Sequence, residues 1–300
     1  MYNTYVVEGG IGKNAAFTSL IPKLSNKENI QVVSPYMDCF STNPNVSTTF
    51  DLNLGIDHSS IINSSKNIHF VEPYKSNFVF GKQHLIESWS NLLGVEYDDE
   101  SIPSLYTDQY YDKYVRSLRE YSVNNKYMLV QLTGGQPPAQ YLSGSCYEMT
   151  DKRSYPNHLA QKLIHLLKKK YPDVTILDAT LPNQPSYDNA IKYDVYWILL
   201  HEALKHAEGF ISIDSCLNHF SPSAKVPGVV LWGSTRWTQF GYSQNTNMQY
   251  FMKPNKWEES KYDPDDPRNI MIDPERVLNE YVKTQKNKGI IRNIIGQKKK

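Results

Sequence analysis

The stretch Ile211 to Gly241, ISIDSCLNHFSPSAKVPGVVLWGSTRWTQFG, sets Asp214, Ser215, Asn218 and His219 between two apolar, strand-like runs. In an open α/β sheet, the carboxyl end of a strand is where ligands bind. Asp214 and Ser215 follow directly on the run Gly209-Phe210-Ile211-Ser212-Ile213. A helix starting here would turn its free N–H groups and the positive end of its dipole toward the crevice, a setting that suits phosphate oxygens. The same two side chains could simply cap an ordinary helix. On the first reading the donor-binding set is Asp214, Ser215, Cys216, Leu217, Asn218 and His219, joined by Gly233 and Ser234 of the turn Gly233-Ser234-Thr235. His219 could donate to a phosphate or ribose oxygen, or it could be a hydrogen-bonded histidine of the core.

Near the other end of the chain, Tyr5-Val6-Val7 runs into Glu8-Gly9-Gly10-Ile11-Gly12-Lys13-Asn14 and a helix-like stretch. This spacing matches neither GxGxxG nor GxxxxGK[ST], so neither a dinucleotide fingerprint nor a P-loop is supported. Gly9, Gly10, Gly12 and Asn14 form a candidate acceptor or phosphate loop; the glycines could equally serve close packing of helix on strand. A third turn, Thr133-Gly134-Gly135, follows the apolar run Tyr127 to Leu132 and offers further N–H donors.

Together these residues resemble the heptosyltransferase-like glycosyltransferases, glycosyltransferase family 9. That family opens with a strand, a GGxGD-type loop and a helix. It later carries a strand followed by D-[ST]-G-x-x-H and a second strand ending in a G-[ST]-T turn. Gly9, Gly10 and Gly12 match the first loop, Asp214, Ser215 and His219 the second, and Gly233, Ser234 and Thr235 the last, while Asn43-Pro44-Asn45-Val46 looks like the link into the third strand. The similarity extends over most of the first 245 residues. It implies a GT-B fold, two Rossmann-like domains facing a central cleft, and an inverting transfer of a sugar from a nucleotide-diphosphate sugar to an acceptor hydroxyl.

Two departures matter. Lys13 stands where the family usually has an aspartate thought to act as base, and Cys216 replaces the glycine after Asp-Ser. A lysine, with a reference pKa of about 10.4, is charged at neutral pH and cannot inherit a base's role. Lys13 is therefore read as a phosphate or acceptor contact at the catalytic centre. Glu8, which ends the first strand beside the glycines, is the first candidate base, and Asp38, after the second strand, is the next. Asp263-Pro264-Asp265-Asp266 contains a DxD spelling, but no apolar strand precedes it to fix its carboxylates. The expectation is chemistry without a metal or cofactor.

The elements that would position these residues alternate. Strands are predicted at Tyr5–Val7, Ile30–Val33, Thr48–Leu52, Ile68–Val71, Tyr127–Leu132, Val174–Leu177 and Gly209–Ile213. Helices are predicted at Asn14–Leu24, Lys82–Leu93, Tyr106–Tyr121, Pro156–Lys170 and Val195–His206. Such alternation implies mostly parallel sheets with right-handed crossovers. The polar break at 122–126 divides an amino-terminal acceptor domain (1–123) from a nucleotide-sugar domain (124–274). A basic segment (275–300) follows and is expected to pack back toward the first domain.

The 300 residues suffice for two such domains. No apolar run is long enough to span a bilayer, no signal peptide is visible, and Cys39, Cys146 and Cys216 lack metal-site spacing. A cytoplasmic enzyme is expected. The net charge of +1 hides an asymmetry: residues 1–123 carry 9 basic against 14 acidic side chains, and the tail after Glu275 is strongly basic. That tail could touch an anionic membrane surface or nucleic acid, or could be a solvated helix. The acceptor is read as a glycan or lipid-linked saccharide, with a hydroxylated DNA base as a second possibility. A GT-B-like sugar-nucleotide epimerase or hydrolase, and an inactive nucleotide-sugar-binding protein, are the alternatives.

Overall fold

Short apolar runs separated by helices become two all-parallel sheets. The computed structural model describes residues 1–53, 58–73, 77–123, 126–134, 153–182, 184–233, 235–250 and 272–297. In the first sheet β1 (Tyr2–Val6), β2 (Ile30–Ser34), β3 (Thr48–Asp51) and β4 (Ser65–Phe70) lie in the order β3-β2-β1-β4. The second contains β5 (Tyr127–Gln131), β6 (Thr175–Asp178), β7 (Ile191–Lys192), β8 (Phe210–Ile213), β9 (Val229–Trp232) and β10 (Thr246–Gln249), in the order β10-β9-β8-β5-β6-β7. The helices are α1 (Ile11–Phe17), α2 (Ile21–Ser25), α3 (Asp38–Ser41), α4 (His58–Ser64), α5 (Leu85–Leu93), α6 (Tyr111–Glu120), α7 (Asn157–Lys170), α8 (Trp197–His206), α9 (Cys216–Ala224), α10 (Trp237–Phe240) and α11 (Pro274–Gln297). Two parallel α/β sheets are the architecture the sequence predicts.

The central strands β2, β5, β8 and β9 are buried along their whole length, as expected where helices cover both faces. The edge strand β4 is mostly exposed and begins with Ser-Lys-Asn, which explains why only its last residues read as strand. The predicted helix 14–24 is broken. Thr18 and Ser19 hydroxyls donate back to the carbonyls of Ala15 (2.6 Å) and Ala16 (2.7 Å), the chain tightens into a 3-10 turn, and Pro22 opens α2.

The two halves meet through helices. The helix α1 packs on α9, and Gly12 is what permits it: a Cβ there would lie 2.7 Å from Cδ2 of His219. The break at 122–126 falls between α6 and β5, yet α6 packs on α8 of the second half, with Tyr114 and Tyr127 hydroxyls 2.8 Å apart. Between them Thr107 Oγ1 lies 2.8 Å from His201 Nδ1 and donates to Glu202 (2.7 Å) in a buried network. The basic helix α11 packs on α7 and over β9 and β10, burying Val277 and Tyr281. Its apolar stripe, not its charge, decides where it docks.

Candidate functional site

The strand β8 delivers Asp214 and Ser215 to the junction, and α9 begins at Cys216. Ser215 has extended backbone, φ −154° and ψ −171°, and occupies the N-cap position without its side chain capping the helix. Its hydroxyl instead donates to Gln131 Oε1, which the Cys216 thiol also approaches at 3.6 Å. The predicted capping by Ser215 is thus absent, and a strand neighbour holds the hydroxyl. Burial pushes the Cys216 thiol up to about 11, so it is a neutral group here. Asp214 is buried and its carboxyl is pushed up by desolvation, with the Arg153 guanidinium opposing the shift; Arg153 Nη1 reaches the Asp214 carbonyl at 3.5 Å.

Further along α9 the side chains are committed to packing. His219 Nδ1 and the Tyr242 hydroxyl share a hydrogen bond of 2.9 Å, with the rings edge to face. Burial holds the imidazole down to about 3, so it is neutral. Asn218 donates to the Phe240 carbonyl at 2.9 Å and lies 3.4 Å from Asn245, and Leu217 is fully buried. The side chains of Leu217, Asn218 and His219, named in the sequence as donor-binding, fasten α9 to the 240–245 segment and to α1. Ser215 and Cys216 remain partly exposed at the helix start.

The loop of the first sheet is built differently. Gly9 takes φ +92°, a conformation open to glycine at little cost. Asn14 is buried, donates to the carbonyls of Gly9 and Gly10 (3.1 Å each), and accepts from Ser34 at 2.6 Å. It holds the loop's shape and is unavailable to a ligand. Glu8, Gly9 and Gly10 are exposed. Lys13, expected to meet a phosphate or acceptor, forms a 3.0 Å ion pair with Glu72, two residues beyond β4. Asp38 accepts a 2.5 Å hydrogen bond from the Tyr196 hydroxyl of the second half, whose phenol is pushed up to about 12. Glu8, Asp38 and Glu72 all follow carboxyl ends of strands in the first sheet.

The third turn supplies less than expected. The Gly134 amide donates to Ser154 Oγ at 2.9 Å, and its carbonyl accepts from Gln184. Thr133 Oγ1 lies 3.2 Å from the Tyr187 hydroxyl. The Gly233 carbonyl accepts from Gln249 at 3.1 Å and the glycine is buried. Gly135, Ser234, Cys146 and the Asp263-Pro264-Asp265-Asp266 run lie outside the described residues. Among the described residues no group of three or more His, Cys, Asp or Glu is arranged as a metal site, and no helix is long and apolar enough to cross a membrane.

The structure therefore brings Arg153 beside the partly exposed helix start at Ser215 and Cys216, and packs Gly12 of the first loop against His219 of the same helix. Glu72, Arg153, Gln131 and Tyr196 were not singled out in the sequence. Glu72 could have been, because it follows an apolar strand end as Glu8 does. Arg153 lies in no regular element and has no local signal.

Two all-parallel sheets flanked by helices, joined through the α1–α9 and α6–α8 contacts, define a GT-B architecture. Solved structures share it. The glycosyl transferase family 9 protein from Veillonella parvula is 11% identical, covers 95% of this chain and 97% of its own, and gives a TM-score of 0.70. The ADP-heptose lps heptosyltransferase II of E. coli is 14% identical, covers 96% and 100%, and scores 0.63. The iron-containing dodecameric glycosyltransferase TibC of E. coli is 13% identical, covers 95% and 76%, and scores 0.61. No family profile matches the sequence, and no curated protein matches it either.

Proposed function

We propose that the chain is a glycosyltransferase that moves a sugar from a nucleotide-diphosphate sugar to a saccharide hydroxyl, with inversion and without a metal. The observation that carries this reading is the start of α9: its first turn lacks a side-chain cap, stays partly exposed at Ser215 and Cys216, and has Arg153 beside it. Backbone N–H groups and a guanidinium would stabilise the departing diphosphate. Individual helix-end interactions contribute only about 0.3 to 2 kcal/mol, so several donors must act together, and the loop from Glu8 to Lys13 faces the same junction. A single displacement, with the acceptor entering from the first domain opposite the leaving diphosphate, inverts the anomeric carbon.

The acidic first half disfavours a DNA acceptor, because binding phosphates needs local positive charge. The basic α11 lies on the other domain. Solved neighbours named for ADP-heptose make that sugar nucleotide the first to test. In calorimetry with ADP, UDP and GDP, one diphosphate should bind. Incubation with the matching sugar nucleotides and saccharide acceptors should release that diphosphate at an unchanged rate in excess EDTA. No binding of any of the three would overturn the reading, and loss of turnover in EDTA would overturn its metal-free part.

A further inference from the structure

Glu8, Asp38 and Glu72 stand past the carboxyl ends of β1, β2 and β4 in the first sheet, and the structure treats them differently. Glu8 is exposed. Asp38 is engaged by the Tyr196 phenol of the other half. Glu72 carries its carboxylate 3.0 Å from the Lys13 ammonium, and the two side chains are unequally covered, 13% exposed for Lys13 and 38% for Glu72. The Lys13 stem runs over Gly9, where a Cβ would lie 3.0 Å from Cδ, so the lysine is fixed along the loop. Gly12, its neighbour, abuts His219 of α9. The ion pair therefore sits on the turn that touches the proposed diphosphate helix, with its acidic end open to solvent and its basic end inward.

Resting on the glycosyltransferase reading, we propose that Glu72 is the general base and that Lys13 is its positioning residue. An ammonium at 3.0 Å fixes the direction of the carboxylate through a charge-assisted hydrogen bond. In the transfer, the acceptor oxygen forms a bond to the anomeric carbon while its proton passes to Glu72. The bond from the anomeric carbon to the diphosphate breaks, and its electron pair leaves on the phosphate oxygen. Protonation of Glu72 removes one negative charge beside Lys13, so the attraction of the ammonium for diphosphate charge developing at the helix that Gly12 touches is less offset than in the ground state. The pair thus explains why a lysine can occupy this loop in an enzyme that still needs a base.

The test compares full-length wild type, Glu72→Gln, Glu72→Asp and Lys13→Met. Calorimetry with the nucleoside diphosphate that binds wild type is read beside release of that diphosphate from its sugar nucleotide, with acceptor or with water in its place. Glu72→Gln should keep diphosphate affinity within about 2-fold and lose turnover by about 10²-fold or more, the range of general base catalysis. Glu72→Asp should recover part of it. Lys13→Met should lower kcat while diphosphate affinity stays within about 2-fold, because the carboxylate loses the donor that orients it. Turnover of Glu72→Gln within about 3-fold of wild type overturns the assignment, as does an unchanged kcat in Lys13→Met. A wild-type chain that cleaves no sugar nucleotide overturns the transferase reading and the base with it; an active wild type with an equally active Glu72→Gln overturns the base alone.

Discussion

The two turns that meet at the junction are built on opposite principles. The later one, Asp214 to His219, is largely buried: its imidazole is neutral, its amide side chain is bonded to a loop carbonyl, and its cap hydroxyl is turned to Gln131. The earlier one, Glu8 to Lys13, is exposed at Glu8, Gly9 and Gly10 and carries an ion pair. The comparison teaches that the segment richest in recognisable residues is mostly a joint between halves. The proposed chemistry is assigned to the rim, to the α9 amides and the charges around them.

The sharpest way to break the comparison is to separate the halves at their closest contact. Gly12→Leu must push a side chain into the buried His219 ring. The expected loss is about 3 kcal/mol of stability, read by urea denaturation, because overpacking a filled junction is poorly absorbed. Weakened diphosphate binding should accompany it. Gly10 lies in the same loop with nothing within 4 Å of a Cβ. Gly10→Ala should change stability by about 0.5 kcal/mol or less. Equal effects at the two glycines would mean that α1 and α9 do not pack as described.

A second prediction concerns the buried imidazole. His219 is held down to about 3 in the folded chain against 6.5 for the unfolded group, so below pH 6.5 the unfolded state binds the extra proton. The stability that His219 contributes is complete above that pH and is lost as pH falls toward the folded value, by about 1.4 kcal/mol per pH unit. In His219→Gln the slope of unfolding free energy between pH 6 and 4 should be shallower by that amount, while His201, also held to about 3, keeps a remaining slope. Identical slopes would show that His219 is solvated.

At the rim the effects should be on binding rather than folding. Arg153→Ala should weaken the nucleoside diphosphate about 10-fold by calorimetry with little change in melting temperature, since one charged hydrogen bond contributes about 1.4 kcal/mol. Smallest of all, Tyr196→Phe removes the bond to Asp38 at a half-exposed position and should cost under about 1 kcal/mol with turnover retained. Loss of turnover in that variant would return Asp38 to candidacy as the base.

What was legible in the sequence follows the physics of each signal. The strands β2, β5 and β8 announced themselves as apolar runs of the right length, and the order of strand and helix was legible as well. The edge strand β10, Thr246-Asn247-Met248-Gln249, and the two-residue β7 carry no such run and were missed. The location of the junction was readable because Asp214 ends a buried strand. Its chemistry was not, because whether His219 meets a phosphate or Tyr242 depends on residues 23 positions away. Glu72 had the same strand-end signal as Glu8, but its pairing with Lys13, 59 residues earlier in the chain, had no local trace.

A crystal structure with ADP, or whichever diphosphate binds tightest, tests the central claim most directly. The account predicts the two phosphates within hydrogen-bond distance of the Ser215 and Cys216 amides and the Arg153 guanidinium, on the side that faces Glu8 to Lys13. Diphosphate density elsewhere on the chain, with that helix start covered only by its own side chains, would contradict it.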